Sequence, residues 1–109
     1  MSKSVLLSTS QTRACEAETK LDFGDDLLNV LWPAVRQRAL DLPILWRIVQ
    51  DLYGDFLVIP SELNSLRDEI ERLLKAAVFS YDITIWLDLL QSLATLGVEH
   101  ELTLFGIAD

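Results

Sequence analysis

Ser61-Glu62-Leu63-Asn64-Ser65-Leu66-Arg67-Asp68-Glu69-Ile70-Glu71-Arg72-Leu73-Leu74-Lys75-Ala76-Ala77 is the stretch that decides the fold. Leu63, Leu66, Ile70, Leu73, Leu74 and Ala77 recur at spacings of three and four, which places them on one face of an α-helix. Ser61 can accept from the free N–H groups of a first helical turn, and Glu62 sits where the helix dipole favours an acid. Asp68 with Arg72, and Glu71 with Lys75, are acid-before-base pairs four residues apart on the other side, each worth about 0.3 kcal/mol. Every local signal agrees on a helix that buries one stripe.

Downstream, Tyr81 to Leu96 repeats the helical spacing on two faces. Ile83, Trp86, Leu87, Leu90, Leu93 and Ala94 form one, and Ile85, Leu89 and Leu96 form a second. A helix apolar on two sides is either enclosed or meets a partner with its second face. Gly97 predicts its end, and the partial alternation from Glu99 to Ile107 predicts a terminal strand. Upstream, Asp41-Leu42-Pro43 reads as a helix start with proline at the first position. Leu45, Ile48, Val49 and Leu52 follow as its apolar face, and Gly54 closes it. Phe56-Leu57-Val58-Ile59, ended by Pro60, is either a short strand or an apolar connector packed on the core, and the connector is the favoured reading. An earlier helix is capped by Asp25 or Asp26 and carries Leu27, Leu28, Leu31, Val35 and Ala39. Pro33 predicts a kink or break near Trp32.

Ser4 to Thr9 is short and β-compatible, a first strand or an arm. Ser10 to Lys20 is polar, with at most a helical turn around Ala14 to Ala17. The expected architecture is α+β and predominantly helical: three or four helices with a small sheet formed by the C-terminal strand and, where Ser4 to Thr9 is a strand, by its pairing with that one, since a lone strand would leave its backbone groups unpaired. Residues 1–20 are read as a polar arm, and 21–109 as a single compact domain.

Composition bounds the class. The 109 residues suit one domain, with half of them apolar and few glycines or prolines. The net charge is −8, and the first twenty residues contribute none of it, since Lys3, Arg13 and Lys20 outnumber Glu16 and Glu18. Such a surface repels phosphate backbones and anionic lipid and favours basic partners, although acidity also serves solubility alone. No nucleic-acid or membrane partner is therefore expected. Cys15 is the one cysteine, which leaves no internal disulfide. The apolar run after Met1 is too short for a signal peptide, and no stretch approaches the roughly 20 apolar residues of a membrane span. The expected location is the cytoplasm.

Motifs of catalysis are not found. Gly24, Gly54, Gly97 and Gly106 are isolated, outside any phosphate loop or dinucleotide fingerprint. One cysteine and one histidine make a poor basis for a zinc site or a nucleophile–base pair. His100, between Glu99 and Glu101, reads as a solvated residue at a strand edge. Asp51 and Asp55 around Gly54 lack the dense ligand spacing of a calcium loop, and they suit a helix terminus better than acid–base work. No catalytic residue, metal site or cofactor is assigned.

The aromatic residues point elsewhere. Trp32, Trp46 and Trp86 are many tryptophans for this length, and tryptophan serves both as core filler and as an interface anchor. Trp46 lies off the main stripe of its helix, beside Arg47. Trp46, Asp51, Tyr53 and Asp55 are the candidate partner-binding residues. Trp46-Arg47-Ile48-Val49-Gln50-Asp51-Leu52-Tyr53, the Glu62–Leu73 helix and the closing Leu-rich helix and strand resemble small bacterial proteins of unknown function. Some of these are similar to immunity proteins encoded beside secreted toxins. The resemblance covers the C-terminal two thirds, rests on generic motifs and implies no particular functional residue. The expected function is thus a non-enzymatic protein-binding module, of the immunity or antitoxin type, for a basic protein partner. The alternative is an assembly subunit that homodimerises through the second apolar face of the Tyr81–Leu96 helix.

Overall fold

A computed structural model describes residues 3–8, 21–50 and 55–108. Their order is β1 (Lys3–Ser8), β2 (Leu21–Phe23), α1 (Asp25–Arg36), α2 (Pro43–Gln50), β3 (Phe56–Val58), α3 (Pro60–Ala76), α4 (Tyr81–His100) and β4 (Thr103–Ala108). The fold is α+β with helix predominant. The strands form one antiparallel sheet in the order β2-β1-β4-β3. The two terminal strands pair with each other along their whole length, Lys3 opposite Ala108 and Ser8 opposite Thr103. Each is paired over half of its other edge by a three-residue strand, β2 along Lys3–Val5 and β3 along Leu104–Gly106.

Alternation along the strands separates two apolar clusters. Val5, Val58, Phe56 and Leu104 join the helices in the main core. Leu6 and Phe105, directly opposite each other in the sheet, form a smaller cluster with Ile107. The main core is built on the stripe that the sequence predicts. Leu63, Leu66, Ile70 and Leu73 of α3 are fully buried, as are Leu87, Leu90 and Ala94 of α4. The Glu71–Lys75 pair closes at 3.3 Å on the solvent side of α3.

Four local expectations are corrected. Phe56–Val58 is a strand, not a connector. Its buried–exposed–buried pattern is too short for periodicity to reveal, and it is fixed by pairing with β4. Of the kink or break expected near Trp32, the break does not occur. α1 runs through Pro33 to Arg36 and only then loosens into turns at Gln37–Asp41. Asn29 and Pro33, the pair whose hydrogen bond the proline removes, are both exposed, so water can replace the lost donor. Neither Asp25 nor Asp26 caps α1; Gly24 holds that position. Ser61 does not cap α3 either. Ile59 is the N-cap and Pro60 begins the helix, while Glu62 reaches back to accept from the Ile59 N–H at 3.4 Å.

Gly97 is the fourth correction, since it lies buried inside α4, which continues to His100. A side chain there would run into the Leu63 methyl and come within 3.1 Å of Leu7 and 3.2 Å of the Leu102 carbonyl. The glycine admits a neighbour rather than ending a helix. His100 is accordingly in the last turn of α4 and not on a strand edge, and β4 starts only at Thr103.

α4 ends instead on Glu101, held in the left-handed region at φ 53° with its N–H bonded to the Gly97 carbonyl. Leu102 donates to the same oxygen at 2.9 Å. A side chain costs about 1 kcal/mol in that conformation, which glycine does not pay. Glu101→Gly is therefore expected to raise Tm by roughly 4 °C, read by thermal unfolding. A fall in Tm would show that the Glu101 side chain makes a contribution larger than its backbone strain.

Candidate functional site

Trp46 is the sequence-predicted site residue that the structure places most fully. α2 is amphipathic, with Ile44, Leu45, Ile48 and Val49 buried. That arrangement turns Trp46 to the flank, half-buried against the main core. There it meets Trp32 of α1, ring centroids 5.8 Å apart and tilted by 55°, and the Arg36 guanidinium lies 4.9 Å over the Trp32 ring. The two indoles thus lock α1 to α2, and Trp46 keeps part of its surface in solvent. Asp55 is exposed. Asp51, Tyr53 and Gly54 lie outside the described residues, as do Cys15 and the turn proposed around Ala14 to Ala17.

Arg47 turns away from Trp46. Its guanidinium grips Glu62 with two bonds of 2.9 and 2.8 Å, joining α2 to the start of α3. The hydrogen bond from Arg47 holds the Glu62 carboxyl below its ordinary range, and the same bond raises the arginine.

Glu69, to which the sequence assigns no role, is buried at 1% exposure. Its Oε1 accepts from the N–H groups of Ile44 and Leu45, each at 2.9 Å. These are free donors of the first turn of α2, where proline at position 43 contributes none. Asp41, the residue nearest in sequence, is exposed, and the capping carboxylate comes instead from α3. Burial pushes the Glu69 carboxyl above its ordinary range, against the pull of those two N–H groups and the charges of Arg72 and Arg47.

The outer face of α4 is the second feature. With Ile83, Trp86, Leu87, Leu90, Ala94 and Gly97 buried on one side, the opposite side carries Tyr81 at 79% exposure, Ile85 at 38%, Leu89 at 49% and Leu96 at 45%. At 100° per residue these four fall within a stripe less than a quarter-turn wide. α4 contains no lysine or arginine, and its charged residues are Asp82, Asp88, Glu99 and His100. The sequence reading of a second apolar face on this helix holds, and that face is open rather than enclosed.

Among the described residues no group of acids, cysteines and histidines could hold a metal ion, and no helix is long and apolar enough to cross a membrane. The structure thus defines a helix-rich α+β domain with an acid-fringed apolar surface. No protein family, curated protein or solved structure matches the chain.

Proposed function

We propose that this protein is a non-enzymatic binding module that engages a basic protein partner, in the manner of an immunity-type inhibitor. The observation that supports this reading most is the outer face of α4. It is an apolar stripe of about 20 Å or more along the helix, with carboxylates beside it and no lysine or arginine in the helix. Apolar side chains supply contact area, and the carboxylates select and steer a partner rich in lysine and arginine. Trp46, Asp51, Tyr53 and Asp55 are proposed as further partner contacts, with Trp46 half-buried and Asp55 exposed among the described residues.

The same stripe bears on the alternative of a homodimer, and its charge argues against it. Two copies packed antiparallel would set Asp82 of one chain near Glu99 and Glu101 of the other, acid against acid, with no lysine or arginine in either helix to pair. A chain of net charge −8 adds long-range repulsion to that. The test is capture of partners on the tagged full chain from a lysate of the cells that make it. One stoichiometric basic protein is expected, retained at low salt and weakened at about 0.5 M salt as screening shortens to a few ångströms. Recovery of its own chain alone, with a dimer mass in light scattering, would replace this reading with the alternative.

A further inference from the structure

α1 packs chiefly on α2, and α4 chiefly on α3. Between the N-terminal halves of α1 and α4 the fold leaves a groove of about 440 Å³. Leu27 and Val30 line it from α1, Ile83 and Trp86 from α4, and each helix adds one carboxylate from its first turn, Asp26 and Asp82. Ile83 and Trp86 are 8% and 7% exposed, so they make a floor, whereas Val30 at 43% stands open to solvent. Among the described residues that line it there is no lysine, arginine or histidine.

Both helices start at this groove, and each N-terminus brings about half a positive charge. Together they offset about one of the two carboxylates, so the rim remains negative. The apolar area exceeds what a purely ionic site needs, and the space is large enough for one leucine- or phenylalanine-sized side chain and its flanking backbone. The groove is continuous with the outer face of α4, since Asp82 lies beside the exposed Tyr81 and one turn from Ile85.

We infer that this groove is the anchor pocket for a cationic–apolar segment of a protein partner: one large apolar side chain enters between Val30 and Trp86, with a lysine or arginine on each side reaching Asp26 and Asp82. The inference rests on the protein-binding reading above and gives it a recognition element that the α4 stripe alone lacks. An acidic segment is excluded by the rim. A neutral apolar segment loses both ionic contacts.

The test is an NMR titration of the ¹⁵N-labelled full chain with three acetylated, amidated tripeptides, Arg-Leu-Arg, Ser-Leu-Ser and Glu-Leu-Glu. Arg-Leu-Arg is expected to give saturable shifts centred on Asp26, Val30, Asp82 and the Trp86 indole. Its affinity should be at least about fivefold above that of Ser-Leu-Ser, with no response to Glu-Leu-Glu. In Asp26→Asn/Asp82→Asn, checked for an otherwise unchanged spectrum, the two binding peptides should become equal. Equal responses in the wild type, shifts centred elsewhere, or no response at millimolar peptide would overturn the inference. Failure here with a basic partner still captured through α4 would remove the groove alone. A groove that binds Arg-Leu-Arg while no partner is ever captured would remove the functional reading and leave the site.

Discussion

Glu69→Ala is expected to lower stability by about 3 kcal/mol, because it strips the acceptor from two buried N–H groups at the start of α2. For a domain of this size that is roughly a 15 °C fall in Tm. The size follows from burial. An exposed cap is replaced by water at little cost, whereas Ile44 and Leu45 are 6% and 2% exposed. Glu69→Gln keeps an oxygen for both donors and should cost much less. A drop under about 1 kcal/mol for the alanine variant would mean that water enters the site and replaces the carboxylate.

The same residue makes a signed prediction about pH. Its native carboxyl is raised above the unfolded value of 4.5, so in that window the native state holds more protons than the unfolded one. Stability from this group then falls as pH rises from the unfolded value through the raised native value, and is flat above it. Glu62 behaves in the opposite sense: its lowered carboxyl stabilises above the ordinary range and loses that contribution as acid protonates it. Comparing the wild type with Glu69→Gln isolates the first effect. The Tm of the wild type is expected to lose ground to the variant as pH rises from about 4. A wild type that gains ground would show that the two N–H groups and the arginines outweigh burial.

Gly106→Ala carries the second large effect. Gly106 sits in β4 opposite both Val5 and Phe56, and an added methyl would overlap the Phe56 ring at three of its carbons. No described glycine has positive φ, so the requirement is steric and not conformational. The ring is 9% exposed and cannot swing clear without disturbing Val58 and the core beneath it. Overpacking of this kind costs about 2–3 kcal/mol, and Gly106→Val should cost more. Phe56→Ala opens a cavity and is itself destabilising by about 3 kcal/mol. Made together, Phe56→Ala and Gly106→Ala are expected to cost at least about 1 kcal/mol less than their sum, since each relieves the other. Strict additivity, measured by denaturant unfolding of the four chains, would show that the ring and the glycine do not bear on one another.

The helices were legible in the sequence wherever 3.6-residue periodicity ran for three turns or more. The stripe from Leu63 to Leu73 and the two faces of the Tyr81 helix are such cases, and the second of those faces is the surface on which the function is proposed. The pairing of the terminal strands followed from the need to satisfy their backbone groups. What escaped was set by contacts distant along the chain. Phe56–Val58 is three residues long and owes its conformation to β4. Gly97 has the local look of a stop signal, but it is small because Leu63 and Leu7 arrive there. Glu69 sits among charged neighbours in sequence, and only the docking of α2, about 25 residues upstream, gives its carboxylate something to cap. The α1–α4 groove arises from how two helices diverge, which no single segment encodes.

The central claim is that the outer face of α4 binds a basic protein, and one comparison addresses it directly: partner capture by the wild type beside Leu89→Gln/Leu96→Gln. Both residues are nearly half exposed, and glutamine is close to leucine in helix propensity, so Tm should change little. Loss of two apolar contacts of this size should weaken binding at least tenfold, about 1.4 kcal/mol or more. A single basic partner recovered by the wild type and largely lost by the variant is the predicted result. Equal recovery by both chains, with the fold of each intact, would contradict the account.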